Sequence, residues 1–520
     1  VKTQILACLV ALAAASSAWA ESRIDTVKVT GGTVQGVTSG NIVSFKGIPF
    51  ASPPIGDDRW RAPQPVRNWS GVKKADTFAP ACVQDPSMAV AFGAPPKVSE
   101  DCLYLNVWTP ARTPNERLPV MVWIYGGGFV AGMTSIPLYD GTRLAQQGVI
   151  VVSIAYRVGP FGFLAAPQLE REGKGAGNYG LLDMIAGLQW VKKNIEAFGG
   201  DSARVTVFGE SAGGAAVSIL AASPLARGLF HGVICESGGY FQPPKYANEG
   251  GQNGVPLKTA VKQGEQFLNS LGTNDVAAAR TLSAELIQRE ASQRPQNQFW
   301  PVYDNYVLPG DVYELYELDR FNDTPVLIGT NSDEGALFAQ PGVTAASFAA
   351  QVRDGYGAKA STILAAYPSN TDAEAAVSSK NLFRDTAFAW PTWAWARLQS
   401  RVGKNPVYVY YFDHRTPLSP DGATHGAEMS YVFGNFDTRQ GQPAPADLTL
   451  SERMMAYWVN FAKSGNPNGE GLPKWPVFNE NDQQVLYFDG TIAAKPVPNM
   501  QQLQAVNDYY AWRRAEAQKR

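Results

Sequence analysis

Gly209-Glu210-Ser211-Ala212-Gly213 sets a serine between two glycines at the end of an alternating apolar run, Arg204 to Phe208. A serine on a sharp strand-to-helix turn has a strained backbone, and glycines two before and two after let that turn pack against its neighbours. The run that follows, Ala212 to Ala222, is rich in Ala and carries Val217, Ile219 and Leu220, which predicts a buried helix. The chemistry this spacing suits is nucleophilic attack by the Ser211 hydroxyl.

A serine hydroxyl is a poor nucleophile at neutral pH and needs a base within hydrogen-bond reach. The chain has three histidines. His231 follows Leu229-Phe230 at the start of a buried-looking strand, and His414 ends another in Tyr411-Phe412-Asp413-His414, so both read as structural. His425 lies in Gly422-Ala423-Thr424-His425-Gly426-Ala427-Glu428, a small-residue loop after the last strong strand, where such sheets place reactive groups. His425 is therefore the expected base.

The base in turn needs a buried carboxylate to hold its tautomer. Asn331-Ser332-Asp333-Glu334-Gly335 follows the strand Pro325 to Gly329 and offers two, Asp333 and Glu334, between which side-chain chemistry does not choose. The tetrahedral oxyanion of an acyl transfer also needs donors. Tyr125-Gly126-Gly127-Gly128-Phe129 closes the strand Pro119 to Tyr125 with bare backbone N–H groups, which together with the N–H of Ala212 would make a three-donor hole. The chain order serine, acid, histidine is that of α/β-hydrolases.

These groups must be held by a framework, and the strand pattern supplies one. Buried strands are expected at Pro119–Tyr125, Val149–Ala155, Arg204–Phe208, Gly232–Cys235, Pro325–Gly329 and Val407–Phe412, and Val27 to Val43 reads as a hairpin. Helical spacing recurs between them, notably from Gly180 to Phe198. Alternating strands and helices predict an α/β fold with a large, mostly parallel sheet covered on both faces. Residues from about 243 to 297 and 340 to 391 read as helical excursions over the active edge.

The amino terminus runs apolar from Ile5 to Ala15 and reaches Ala18-Trp19-Ala20 before its first acidic residue, Glu21, the pattern of a secretory signal cleaved after Ala20. That apolar stretch is too short to span a bilayer, and no second one of spanning length occurs. Residues 21–520 then form one domain. Net charge is −2 with no basic stripe, which gives no sign of nucleic acid. Cys8 leaves with the signal, pairing of Cys82 with Cys102 is the economical reading in an oxidising compartment, and Cys235 reads as an inert core thiol. No spacing suggests a metal site, and no cofactor is implied.

The ordered motifs resemble a type-B carboxylesterase of the cholinesterase-like group within the α/β-hydrolase superfamily. Matching segments include Phe45-Lys46-Gly47-Ile48-Pro49-Phe50-Ala51, Arg59-Trp60, Ser99 through Asn106, Gly126 to Gly128, Tyr156-Arg157-Val158-Gly159, Asn178 through Asp183, Phe208 through Gly214, the Asp333-Glu334-Gly335 turn, the His425 loop, and Trp458, Phe461 and Gly465. The resemblance implies Ser211 as nucleophile, Glu334 in preference to Asp333 as acid, His425 as base, and Gly127, Gly128 and Ala212 as the oxyanion hole. It implies that Glu210 supports the charged histidine, that Arg59–Glu100 and Arg157–Asp183 are structural ion pairs, and that Cys82 and Cys102 are bonded. In one respect the chain departs from cholinesterases, whose loop between those cysteines carries a tryptophan for a quaternary ammonium. Val83 to Asp101 contains no Trp or Tyr, and its one aromatic is Phe92.

The expectation is a secreted or periplasmic serine carboxylesterase for small-molecule esters other than those of choline, with bulky xenobiotic or natural-product esters as candidates. The rival is a catalytically inactive cholinesterase-like adhesion or binding protein, which would usually lack a member of the triad.

Overall fold

The computed structural model describes residues 23–85, 97–173, 175–244, 254–295, 298–437, 441–517 and 519. The leader reading and Phe92 lie outside them. The main sheet has 11 strands, in chain order β1 Val37–Ser39, β2 Ile42–Pro49, β3 Tyr104–Thr109, β4 Leu118–Ile124, β5 Ile150–Ile154, β6 Gly200–Glu210, β7 Gly232–Glu236, β8 Val326–Asn331, β9 Val407–Phe412, β10 Gln484–Phe488 and β11 Ile492–Pro496. Their spatial order is β11-β10-β9-β8-β7-β6-β4-β5-β3-β2-β1.

From β10 through β5 every neighbouring pair is parallel, and the remaining pairs at the two margins are antiparallel. The parallel strands are the ones whose sequences are near-continuous apolar runs. Strands β5 and β7 are buried at every residue, as strands covered on both faces must be. The expected hairpin from Val27 to Val43 is instead two hairpins in two sheets. Thr26–Val29 pairs with Gly32–Gln35 in a separate three-stranded sheet, while β1 pairs with β2 in the main one. The alternating pattern marks extended chain but does not name its partner.

Helices α1 Tyr179–Asn194, α2 Ala212–Ala222, α3 Trp390–Val402, α4 Met429–Phe433, α5 Pro445–Ser464 and α6 Met500–Ala517 accompany the strands. Helix α2 is buried along its whole length, which its small and branched apolar residues permit. The two helical excursions are present, with helices at Leu257–Ser270 and Ala284–Ser292 in the first and Ala345–Tyr356 and Asp372–Arg384 in the second.

Side-chain packing locks the strand ends that matter. Trp123 of β4 packs on Phe208 of β6 and Phe433 of α4, with ring centroids 4.8 and 4.9 Å apart. At the exits of β4 and β5, Tyr125 and Tyr156 stack 4.4 Å apart, and each hydroxyl donates to the other's carbonyl oxygen. The ion pairs Arg59–Glu100 and Arg157–Asp183 are formed at 2.6 and 2.7 Å, the second fully out of water. A buried pair of this kind is costly to break, because the survivor is left charged and unsolvated. Cys82 and Cys102 are bonded, and Cys235 is a free, buried thiol on β7.

Candidate active site

The turn after β6 is as tight as its glycines suggest. Ser211 sits at φ +57° and ψ −122°, a conformation that L-residues avoid, and its N–H donates to Glu236 O at 2.9 Å. A Cβ on Gly213 would come within 2.0 Å of Ile124 O, and one on Gly209 within 2.6 Å of the Gly213 carbonyl carbon. Only hydrogen fits at either place, so these two glycines let the serine be presented above the sheet.

The glycine loop after β4 lies beside it. A Cβ on Gly126 would stand 3.0 Å from Ser211 Cβ and 2.7 Å from Glu210 Oε2. Gly127 and Gly128 have φ of +108° and +61°, and the Gly127 carbonyl turns away to accept from Val130 and Ala131. Among the described residues, no backbone carbonyl accepts from the N–H of Gly127 or Gly128. The N–H of Ala212 opens helix α2, where first-turn donors lack intrahelical partners. Three free donors thus belong to the two turns that flank the Ser211 side chain.

The acid turn and the histidine loop are joined edge to edge. Asp333 N donates to Ala423 O at 2.8 Å, Ala423 N donates to Ser332 Oγ at 2.9 Å, and Asn331 Nδ2 donates to Thr424 O at 2.8 Å. Within this frame His425 Nδ1 meets Glu334 Oε2 at 2.5 Å, and Glu334 Oε1 accepts from Asn331 N at 2.7 Å. Asp333 turns the other way and pairs with Lys380 at 2.7 Å. Of the two carboxylates that side-chain chemistry left open, Glu334 is the one on the imidazole.

His425 Nε2 lies 3.1 Å from Glu210 Oε1, near enough for ion pairing, but it makes no hydrogen bond. That leaves the nitrogen opposite Glu334 open to a hydroxyl. Two phenylalanines close the ring in. Phe388 stacks on it with centroids 4.4 Å apart, and Phe338 meets it edge-on at 5.4 Å.

Behind these groups lie two further glutamates that sequence reasoning did not assign. Glu428 accepts from Asn331 Nδ2, Ser237 Oγ and Tyr410 Oη. Glu236 accepts from Trp458 Nε1 at 2.7 Å, and its second oxygen has no partner. The available signal was a carboxylate ending an otherwise apolar strand, Val233-Ile234-Cys235-Glu236.

Four glutamates, Glu210, Glu236, Glu334 and Glu428, are buried in this region; the first, third and fourth act on the imidazole, and Glu236 interacts with Glu428 and Glu210. Burial pushes the Glu236 carboxyl well above the carboxylate range, with Glu428 adding to the effect. Burial likewise raises Glu210 and Glu428. For His425 burial acts downward, but the charges of Glu210 and Glu334 outweigh it and the net shift is upward from 6.5.

The remaining candidates fall elsewhere. His414 pairs with Asp447 at 2.7 Å, and His231 Nδ1 accepts from Val205 N, so neither joins the site. Trp300 packs edge-on against Phe129, and Trp390 lies between Tyr313 and Tyr510. Among the described residues, no cluster of His, Cys, Asp and Glu could hold a metal ion.

The sequence matches the profile of the carboxylesterase family over residues 23–506. It is 36% identical to the fumonisin B1 esterase of Sphingopyxis macrogoltabida over 484 residues, covering 89% of this chain and 86% of that protein. It is 37% identical to the para-nitrobenzyl esterase of Bacillus subtilis over 495 residues, covering 91% and 96%. A solved PNB esterase superposes with a TM-score of 0.82 at 35% identity, over 92% of this chain and 99% of that one. The sheet is thus that of the α/β-hydrolase fold, and the inactive-protein alternative finds no support among these relatives.

Two outcomes follow for turnover of a p-nitrophenyl ester. Glu334→Gln should lower kcat by roughly 10⁴-fold, the cost of losing a carboxylate that holds the histidine tautomer, whereas Asp333→Asn should stay within about threefold. The reverse ranking would assign the acid to Asp333. In addition, the acidic limb of kcat/KM should lie above pH 6.5, because activity needs neutral His425 and its pKa is raised. Glu210→Gln removes one of the raising charges, so it should move that limb to lower pH. A limb that stays put or moves upward would contradict this electrostatic account.

Proposed function

The chain belongs to the carboxylesterase family and hydrolyses carboxylic esters, and on that premise we propose which residues carry the reaction and which esters it serves. Ser211 Oγ attacks the ester carbonyl carbon while its proton passes to His425 Nε2. The carbonyl oxygen, now negative, is held by the N–H groups of Gly127, Gly128 and Ala212, which are fixed before the substrate arrives and need no reorganisation. Collapse expels the alkoxide, which takes the proton from His425 and leaves as the alcohol. A water molecule then attacks the acyl-enzyme with His425 again as base, releasing the carboxylic acid and restoring Ser211. Glu334 holds the imidazole by its Nδ1–H throughout, and Glu210 stabilises the imidazolium beside Nε2.

The observation that carries this reading is the 2.5 Å contact of His425 Nδ1 with Glu334 while Nε2 stays free beside the serine turn. One nitrogen is committed to orientation and the other is open for proton transfer.

Bulky xenobiotic or natural-product esters are the proposed substrates, a reading that relatives named for fumonisin B1 and para-nitrobenzyl esters support. Residues 1–20 act as a leader cleaved after Ala20, and residues 21–520 form one α/β-hydrolase domain, secreted or periplasmic. The Cys82–Cys102 bond supports an oxidising compartment, and among the described residues no helix is long and apolar enough to cross a membrane.

Ser211→Ala should cut kcat by at least about 10⁴-fold without unfolding the chain, and should abolish labelling by a fluorophosphonate. Wild-type turnover or labelling in that variant would move the nucleophile elsewhere. A neutral butyrate ester should exceed butyrylcholine of similar size in kcat/KM, since the segment between Cys82 and Cys102 lacks the Trp or Tyr face that suits a quaternary ammonium. A tenfold preference for the choline ester would overturn the proposed substrate class.

A further inference from the structure

Phe388 reaches His425 by an unusual route. Between the helix Asp372–Arg384 and helix α3 the chain makes one π-helical turn, Asp385–Ala389. Pro391 lies in the first turn of the helix that follows. A proline has no N–H, so it can donate neither to Ala387 O, its α-helical acceptor, nor to Thr386 O, its π-helical one. Both carbonyls are instead served by one buried side chain. Gln242 Nε2 donates to Thr386 O at 3.0 Å and to Ala387 O at 3.5 Å.

Further buried groups hold the same turn. The Asp385 carboxylate accepts from Arg384 Nε, Arg384 Nη2 and Tyr367 Oη, and Thr386 Oγ1 donates to Leu382 O at 2.7 Å. The one residue that a π turn adds rotates the side chains on one side of it by about 100° relative to a continuous α-helix. Without it, Phe388 would not keep its present direction relative to the preceding helix. With it, the fully buried ring lies against the imidazole with an interplanar angle of 29°.

We propose that the π turn exists to place Phe388 on His425, and that Phe388 is a positioning residue whose ring face fixes the imidazole plane and stabilises the imidazolium formed when Ser211 gives up its proton. The proposal rests on His425 being the base. An aromatic face attracts a cation more strongly the less water surrounds the pair, and here the Phe388 ring is fully buried and the His425 side chain is 10% exposed. No proton or bond is transferred to Phe388; it acts only on the energy of the charged ring.

Other groups also set the charge of His425. Glu210 faces it from the end of β6, Glu334 from the turn after β8, and Glu428 from its own loop, while Phe338 covers its edge. All three charged neighbours are carboxylates, and a change confined to Phe388 leaves them in place.

The test replaces Phe388 with pentafluorophenylalanine, which nearly preserves ring shape and reverses the charge of its face, and separately with Leu. Each should lower kcat by about 3- to 30-fold with KM little changed, and each should move the acidic limb of kcat/KM to lower pH. A turn that served only packing would alter thermal stability without moving that limb. Should Phe388→Leu fail to fold, the fluorinated enzyme carries the test alone. An unmoved limb in the folded variants, with His425→Ala inactive, would overturn the proposal and leave the acyl-transfer reading standing. Activity retained in His425→Ala would overturn both.

Discussion

The structure depends on one imidazole held among carboxylates where little water reaches. His425 touches Glu334 and Glu210, with Glu428 and Glu236 behind them, and all four acids are buried. In such a medium a charge is stabilised only by its neighbours, so the charge on each group depends on the others. Burial raises the proton affinity of Glu210, Glu236 and Glu428, and the neighbouring carboxylates raise that of His425. The consequence for the proposed reaction is that an imidazolium formed during turnover meets anions and an aromatic face already in position.

That arrangement has to be imposed by the backbone, and the fold does so at strand ends. The turns that carry Ser211, the Gly127-Gly128 donors, Glu334 and His425 follow β6, β4, β8 and β9, strands of one parallel run, with β7 between β6 and β8, whose C-terminal edges point the same way. Part of the backbone strain sits at this edge. Ser211, Phe129 and Ser237 are non-glycine residues at positive φ, each just beyond a strand of the site. The sheet below, the Tyr125–Tyr156 stack and the Arg157–Asp183 pair supply the rigidity that keeps such backbone in place.

The parallel strands were legible because strands buried on both faces are written as short apolar runs, and those from Pro119 to Phe412 came within a few residues of their observed ends. The margins were less legible. β10 and β11 are partly exposed and short, and the two hairpins before Pro49 share an alternating pattern that says nothing of which sheet each joins. At the site, glycine spacing marked Ser211 and the loop 126–128, because close approach excludes a Cβ at Gly209, Gly213, Gly126 and Gly127. The choice of Glu334 over Asp333 required the resemblance, since adjacent acids in a turn differ only in where they point. Glu236, Glu428, Gln242 and Phe388 act through contacts with residues distant in the chain, which neither spacing nor periodicity records.

The most direct measurement is proton NMR of the bond between His425 Nδ1 and Glu334. A proton held between an imidazole and a buried carboxylate 2.5 Å apart should resonate far downfield and be protected from exchange. The account predicts one such resonance, assigned to His425, present both above and below the pH at which Nε2 titrates, retained in Asp333→Asn and lost in Glu334→Gln. Its absence from the wild-type enzyme, or its survival in Glu334→Gln, would contradict the account.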